Sequence, residues 1–363
     1  MKTKILFLLI FALAIGTSTA AYRYEKSRTE NYSYNVRSGS ALSFDARYSN
    51  LIFTTTESDK VTIAMEIKTQ SNNEQQATEL LRLPVTNFSN VTGAFQMTAD
   101  IDSEITKRYR NISYTINYFI SIPRKYALRV DVKYGDAKID RVEDNALFNV
   151  KYGNITVRES VNAASKFDIK YGNIAIAGDI RAASEFNIGY GNLSFSAATG
   201  KEKHKIYIKY GNVKGMNNSG KIYIESAYCD IKFGEVESLS GTSKYDNYTV
   251  GAVGSIDFES ANYCNFKIER LSEKLNLDSF KYSNLKIGGV SPNFRSITIP
   301  AAGYSNIKIA IPSGSFKADL RTKYAKAQVY DTKSEGSLVT TVGGNPRATI
   351  EIFNSYGDII ITK

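Results

Sequence analysis

Lysines at positions 138, 214, 232, 267, 286 and 308 each stand four residues after a tyrosine, and another set, at 133, 151, 170, 209, 244, 281 and 323, stands immediately before one. If the segments that carry them align, each set becomes a row of ammonium groups at strand spacing. Such a row repels itself unless solvent and salt screen it or an anion neutralises it. The chemistry on offer is multivalent anion binding, with Lys214, Lys232, Lys267, Lys286 and Lys308 as the candidate binding residues. The competing reading is a solvated face, whose lysine stems cover apolar surface and whose charge discourages edge pairing.

Other chemistry is thinly represented. The single histidine, His204, sits in GKEKHKIYI among lysines, which predicts a surface residue. One histidine and two distant cysteines cannot assemble a usual zinc set, so no metal and no cofactor is expected. Cys229 and Cys264 occupy the same position in two copies of a repeated frame, with Asp246 in the copy between. Stacked copies would hold them roughly 10 Å apart, beyond the reach of an undistorted disulfide, so both are expected as free, mostly buried thiols. Glycosidase or lyase chemistry needs paired carboxylates or an acidic calcium cluster. The candidates Asp136, Asp140, Glu143, Asp144, Asp168 and Glu185 form no repeated cluster, and the GGxGxD pattern of calcium-binding nonapeptides is absent.

The elements that would position the lysines come from an internal repeat. The segments VKYGDAKI, VKYGNITV, IKYGNIAI, IGYGNLSF, IKYGNVKG, SAYCDIKF, SKYDNYTV, ANYCNFKI, FKYSNLKI, AGYSNIKI and TKYAKAQV share one frame, and the ten intervals between Tyr134 and Tyr324 average 19 residues. Outlying copies surround Tyr48 and Tyr356, so 13 of the 25 tyrosines belong to the frame. Within a copy, Phe167, Ile169 and Tyr171 share a parity, Gly172-Asn173 interrupts, and Ile174 and Ile176 continue with shifted parity: strand, corner, strand. The Gly-Asn pair suits a sharp bend, because both residues tolerate conformations that others avoid.

Two architectures fit this period. Each copy is one coil of a β-solenoid, with parallel ladders of equivalent residues, or each is a hairpin in an antiparallel sheet or outer-membrane barrel. The corner favours the first, since Cys229-Asp230 and Ala325-Lys326 are poor type I′ turn residues. A solenoid would place Ile155, Ile174, Leu193, Val213, Ile231, Tyr248, Phe266, Leu285 and Ile307 in one interior column, the tyrosines in a stack beside the corner, and the following asparagines in an amide ladder. The division expected is 1–20 as a signal peptide, 21–130 as a β-rich cap and 131–363 as solenoid repeats, with a short helix over 72–81 and the Tyr356 copy closing the far end.

Met1–Ala20 reads as an export signal: Lys2 and Lys4, an apolar run from Ile5 to Ile15, and Ser18-Thr19-Ala20. No second apolar run follows, so no transmembrane anchor is expected after its removal. The chain carries 46 Lys+Arg against 36 Asp+Glu, a formal charge of +10. A basic exported protein meets acidic surface polymers before it meets nucleic acid. At 42 % hydrophobic it can build a large core.

At its Tyr-Gly-Asn/Asp-Ile frames, preceded by ISIPRKYALRVDVKYGDAKI, the chain resembles the putative adhesin family of exported β-helix proteins of Bacteroidota, and is similar to the head-GIN adhesin domain. The likeness covers most of residues 45–363 and thins from Cys229 onward, where the corners lose glycine. The resemblance implies a right-handed parallel β-helix, a periplasmic or surface location and no enzymatic activity, with no catalytic residues to carry over. The resulting expectation is a non-enzymatic exported adhesin or binding scaffold, its partner an acidic polysaccharide or cell-surface component and no nucleic acid. The alternatives are a purely structural envelope β-solenoid and a β-helix carbohydrate-active enzyme.

Overall fold

Apolar and polar residues alternate on both sides of each frame tyrosine, and the parity changes at the corner. The backbone answers with two short strands meeting at a bend. The computed structural model describes residues 22–91, 93–109 and 112–363, so the export signal read at Met1–Ala20 lies outside the described residues. The chain divides into two compact units, Met1–Ala177 and Gly178–Lys363.

In the first unit, Leu128–Lys133 pairs in parallel with Ala146–Lys151, and that strand with Ser165–Tyr171. Past the corner, Ala137–Ile139 pairs with Ile155–Val157, and that with Ile174–Ile180. The Tyr48 copy extends both ladders through Ala41–Arg47 and Asn50–Thr56. Beyond it lie strands that come later in the chain, Ala94–Ile101 and Ser113–Pro123, also parallel. Antiparallel strands follow: Pro84–Val91 on Ala94–Ile101, Lys60–Ser71 on Ser113–Pro123, and Tyr24–Asn35 on Lys60–Ser71. The helix expected over 72–81 is present as Glu74–Leu80, its first turn capped by the Asn73 side chain, which accepts the Gln76 N–H.

In the second unit, Ser184–Lys244, Asn247–Asn262 and Asn265–Leu277 pair in parallel, copy beside copy. Register places Ile231, Tyr248, Phe266, Leu285, Ile307 and Ile359 in one column, all buried. Each such side chain contributes roughly 1.5–3 kcal/mol by leaving water. The chain then departs from sequence order. Ala348–Ser355 and Ile359–Thr362 lie between the Tyr304 copy and Phe316–Val329, and Thr332–Val342 runs antiparallel along the outer side of Phe316–Val329. The Tyr356 copy is therefore enclosed and does not close the end.

The protein is all-β, 72 % strand and 4 % helix. The right-handed parallel β-solenoid expected from the repeat and the family resemblance is overturned: the fold contains a closed seven-stranded parallel β-barrel with further strands outside it. Nor do neighbouring copies form hairpins, since they pair in parallel. A 19-residue period tells each strand which residue lies beside it, and this local instruction is the same for an open and a closed parallel sheet. Closure depends on tilt and stagger summed over all the strands, which no single copy encodes. The out-of-order strands at 94–123 and 348–362 likewise break the coil-after-coil succession that a solenoid requires.

Candidate ligand-binding surface

The surface is built at the corners. The sharp bend expected at Gly-Asn falls one residue earlier in most copies: Tyr48, Tyr134, Tyr152, Tyr210, Tyr228, Tyr245, Tyr263, Tyr282, Tyr304, Tyr324 and Tyr356 all have φ between 52° and 61°. Only beside Tyr171 and Tyr190 does the positive φ pass to glycine, at Gly172 and Gly191. A bulky residue in this region costs roughly 1–2 kcal/mol. Ring stacking opposes the cost. In the first unit Tyr48, Tyr134, Tyr152 and Tyr171 stack with centroids 4.8–5.0 Å apart. In the second the stack runs from Tyr190 through Tyr210, Tyr228, Tyr245, Tyr263, Tyr282 and Tyr304 to Tyr356 and Tyr324, at 4.7–5.3 Å. The expected tyrosine stack is thus present, with the rings half exposed, their faces turned to one another and their edges to solvent.

The glycine after the tyrosine has a packing reason instead. A Cβ on Gly153 would lie 1.8 Å from the Gly135 carbonyl oxygen, and one on Gly172 1.7 Å from that of Gly153. At Ser283 and Ser305 the corner side chain turns inward and accepts a backbone N–H from the preceding copy: Cys264 N–H donates to Ser283 Oγ at 3.0 Å, and Ser283 N–H to Ser305 Oγ at 3.2 Å. Beside the tyrosines runs the amide ladder. Asn154 donates to Asp136, Asn173 to Asn154, Asn247 to Asp230, Asn265 to Asn247, Asn284 to Asn265 and Asn306 to Asn284, at 2.8–3.2 Å.

Two residues beyond the ladder stand the candidate lysines. Lys267, Lys286 and Lys308 face one another across three adjacent parallel strands, in direct register and exposed. None of the three forms an ion pair among the described residues. Thr249 separates Lys267 from Lys232, and Lys308 is flanked by Ile360. Lys214 is exposed on Ser184–Lys244. The structure therefore joins three of the five into a continuous cationic row, about 4.8 Å per step. Of the lysines before the tyrosines, Lys133, Lys170, Lys244 and Lys323 lean over the ring that follows them, 5.1–5.6 Å from its centroid.

The other candidates are placed as follows. His204 is buried, not at the surface: its Nε2 lies 3.1 Å from the Thr199 carbonyl oxygen, its Nδ1 has no partner, and burial holds its pKa below the usual value. The flanking lysines obscured this, because His204 shares strand parity with buried Ile206 and Ile208 while the lysines point out. Cys229 and Cys264 are free and buried, as expected. Asp136 serves the amide ladder, and Asp140 accepts hydrogen bonds from the Thr55 N–H and hydroxyl. Among the described residues no group of three or more His, Cys, Asp or Glu could hold a metal ion, and no helix is long and apolar enough to cross a membrane.

Sequence reasoning missed a buried polar cluster. Asp246, 1 % exposed, accepts from Ser226 Oγ, Ser243 Oγ and the Cys229 and Lys244 N–H groups at 2.5–3.2 Å. Tyr248 meets Ser226 Oγ at 2.9 Å, and Ser243 Oγ meets Cys264 Sγ at 3.2 Å. Burial raises the Asp246 pKa, and pushes the Cys229 thiol up to about 11. The signal was available in principle: Ser226, Ser243 and Tyr248 hold interior parity around a corner whose own residue is Asp.

No protein-family profile and no curated protein matches the chain. Among solved structures, one described as a "putative cell adhesion protein" from Clostridium sporogenes is 8 % identical over 93 % of this chain and 99 % of that one, with a TM-score of 0.23. A "putative adhesin" from Parabacteroides distasonis is 11 % identical over 92 % and 97 %, with a TM-score of 0.30. A "putative lipid binding protein" from the same organism is 10 % identical over 92 % and 97 %, with a TM-score of 0.25. The first two names agree with the adhesin resemblance read from the Tyr-Gly-Asn frames, and at these identities and TM-scores the likeness carries no argument about what this chain does.

Proposed function

We propose that the protein is a non-enzymatic, exported binding scaffold of the cell envelope that holds acidic glycans on its lysine row. The observation that carries this reading is the register of Lys267, Lys286 and Lys308 on three consecutive strands without an acidic partner among the described residues. Three cations held by a rigid sheet gain little from one another and much from a polyanion that spans them, so each weak contact adds to the next. Lys232 and Lys214 extend the surface, and the half-exposed tyrosine edges lie beside it. Residues 21–130 act as the cap of the repeat region 131–363. The antiparallel strands outside Ser113–Pro123 and Ala94–Ile101 support this reading, because they cover edges that would otherwise recruit other strands.

The test is a titration of the mature protein against acidic and neutral polysaccharides at low and physiological salt, beside a Lys267→Gln, Lys286→Gln, Lys308→Gln variant. Selective binding of the acidic polymers, weakened by salt and lost in the variant, is expected. Equal binding by the variant, or no binding by the wild type at low salt, would overturn the reading and leave the row a solvated structural face. Release of shortened products would point to an enzyme instead.

A further inference from the structure

The tyrosine is the constant of the corner. The residue before it is Lys, Arg, Gly, Ala, Asn or Ser, and the residue after it is Gly, Ser, Cys, Asp or Ala, yet every copy keeps the phenol. The backbone would accept Asn or Gly at that φ more readily. Stacking accounts for an aromatic ring, and a phenylalanine would stack as well. The result is a file of electron-rich phenols in mutual contact with their edges open to solvent, independent of the lysine row.

From this geometry we propose that the tyrosine column of the second unit is a site of oxidative cross-linking, with Tyr324 and Tyr356 as the first pair to join. Tyr324 is the most exposed corner tyrosine, at 76 %, and stacks on a single ring, that of Tyr356, with the flexible Lys323 ammonium 5.2 Å from its centroid. The two rings are 5.3 Å apart and tilted by 24°, whereas Tyr282 and Tyr304 are held between neighbours at 5.0 Å and 3°. A ring with one ring neighbour and a mobile lysine over it can turn so that its ortho carbon meets that of its neighbour, whereas a ring clamped between two others cannot.

The co-reactants are hydrogen peroxide and a haem peroxidase. Each phenol gives one electron to the oxidised haem and its hydroxyl proton to water. The two phenoxyl radicals join ortho carbon to ortho carbon, and the two ring hydrogens displaced by the new bond return to the phenol oxygens. The peroxide, having taken up two electrons and two protons, leaves as two waters. The protein loses two hydrogens and gains one carbon–carbon bond.

The experiment treats dilute folded protein with peroxidase and peroxide, isolates the monomer, and follows dityrosine fluorescence, intact mass and proteolytic fragments. The expected result is a monomer lighter by two hydrogens, with the Tyr324 and Tyr356 fragments joined, and a raised denaturation midpoint. Tyr324→Phe keeps the ring and the fold, checked by circular dichroism, and should abolish that joined fragment. An unchanged monomer mass, cross-links only between chains, or joined fragments that involve tyrosines outside the column as often as those within it would overturn the proposal.

Discussion

Replacing Tyr282 by alanine and by glycine should invert the usual order of stability. Tyr282 has φ 53° and stacks between Tyr263 and Tyr304 at 4.9 and 5.0 Å. Both replacements forfeit two ring contacts, about 0.5–1.5 kcal/mol each. Both also lose the buried half of the ring. Alanine keeps a Cβ and therefore still bears the left-handed backbone, about 1–2 kcal/mol. Glycine does not, although it ordinarily costs about 0.5–1 kcal/mol relative to alanine within a strand. The difference leaves Tyr282→Gly more stable than Tyr282→Ala by about 0.5–1 kcal/mol. Tyr171 supplies the internal control, because there the positive φ belongs to Gly172, at 147°, and not to the tyrosine. At that position alanine should be the better replacement by about 0.5–1 kcal/mol. Equilibrium unfolding in urea, with midpoints and slopes compared for all four variants, reads the two differences directly. If alanine outranks glycine at both sites, the corner strain assigned to the tyrosines is refuted.

Two further outcomes follow from the same corners. Gly153→Ala places a Cβ 1.8 Å from the Gly135 carbonyl oxygen, whereas Gly344→Ala meets nothing within 4 Å. The first should cost about 3 kcal/mol or more and the second almost nothing, and equal midpoints would contradict the close stacking of corner backbones. The Cys229 and Cys264 thiols should stay unreactive toward a disulfide reagent at neutral pH until the chain unfolds, because burial raises both and carries Cys229 to about 11. A folded pKa raised above its ordinary value of 9.0 contributes stability that is present below about pH 9 and is lost as pH rises toward about 11. Stability that increases over that window in the wild type relative to a Cys229→Ser variant would count against the burial.

Much of the local structure was legible because it repeats. Alternation around each tyrosine announced the strands, and the asparagine spacing announced the amide ladder that Asn265, Asn284 and Asn306 form. The two cysteines, one frame apart from Asp246 on either side, could be read as free thiols from spacing alone. The lysine row was legible only in part. Lys267, Lys286 and Lys308 share a frame position and meet in space, while Thr249 interrupts the row before Lys232. His204 was misplaced because its neighbours' charge outweighed its strand parity, and parity won in the structure.

By itself, then, the sequence determined what period and residue type can express: which positions face inward, which residues stand beside which in the next copy, and that each copy bends beside its tyrosine. Steric and hydrogen-bonding rules act there over a few residues, and every copy states them again. Only the tertiary structure decided what depends on sums over many strands or on contacts across long stretches of chain. Closure into a barrel, the insertion of Ala348–Ser355 beside Phe316–Val329, and the transfer of the left-handed bend from Gly-Asn to the tyrosine are of this kind. The last shows why: no local preference puts a tyrosine at φ near 60°, and the rings that lie against both faces of Tyr282 come from copies some nineteen residues away in the chain, a contact that no single copy provides.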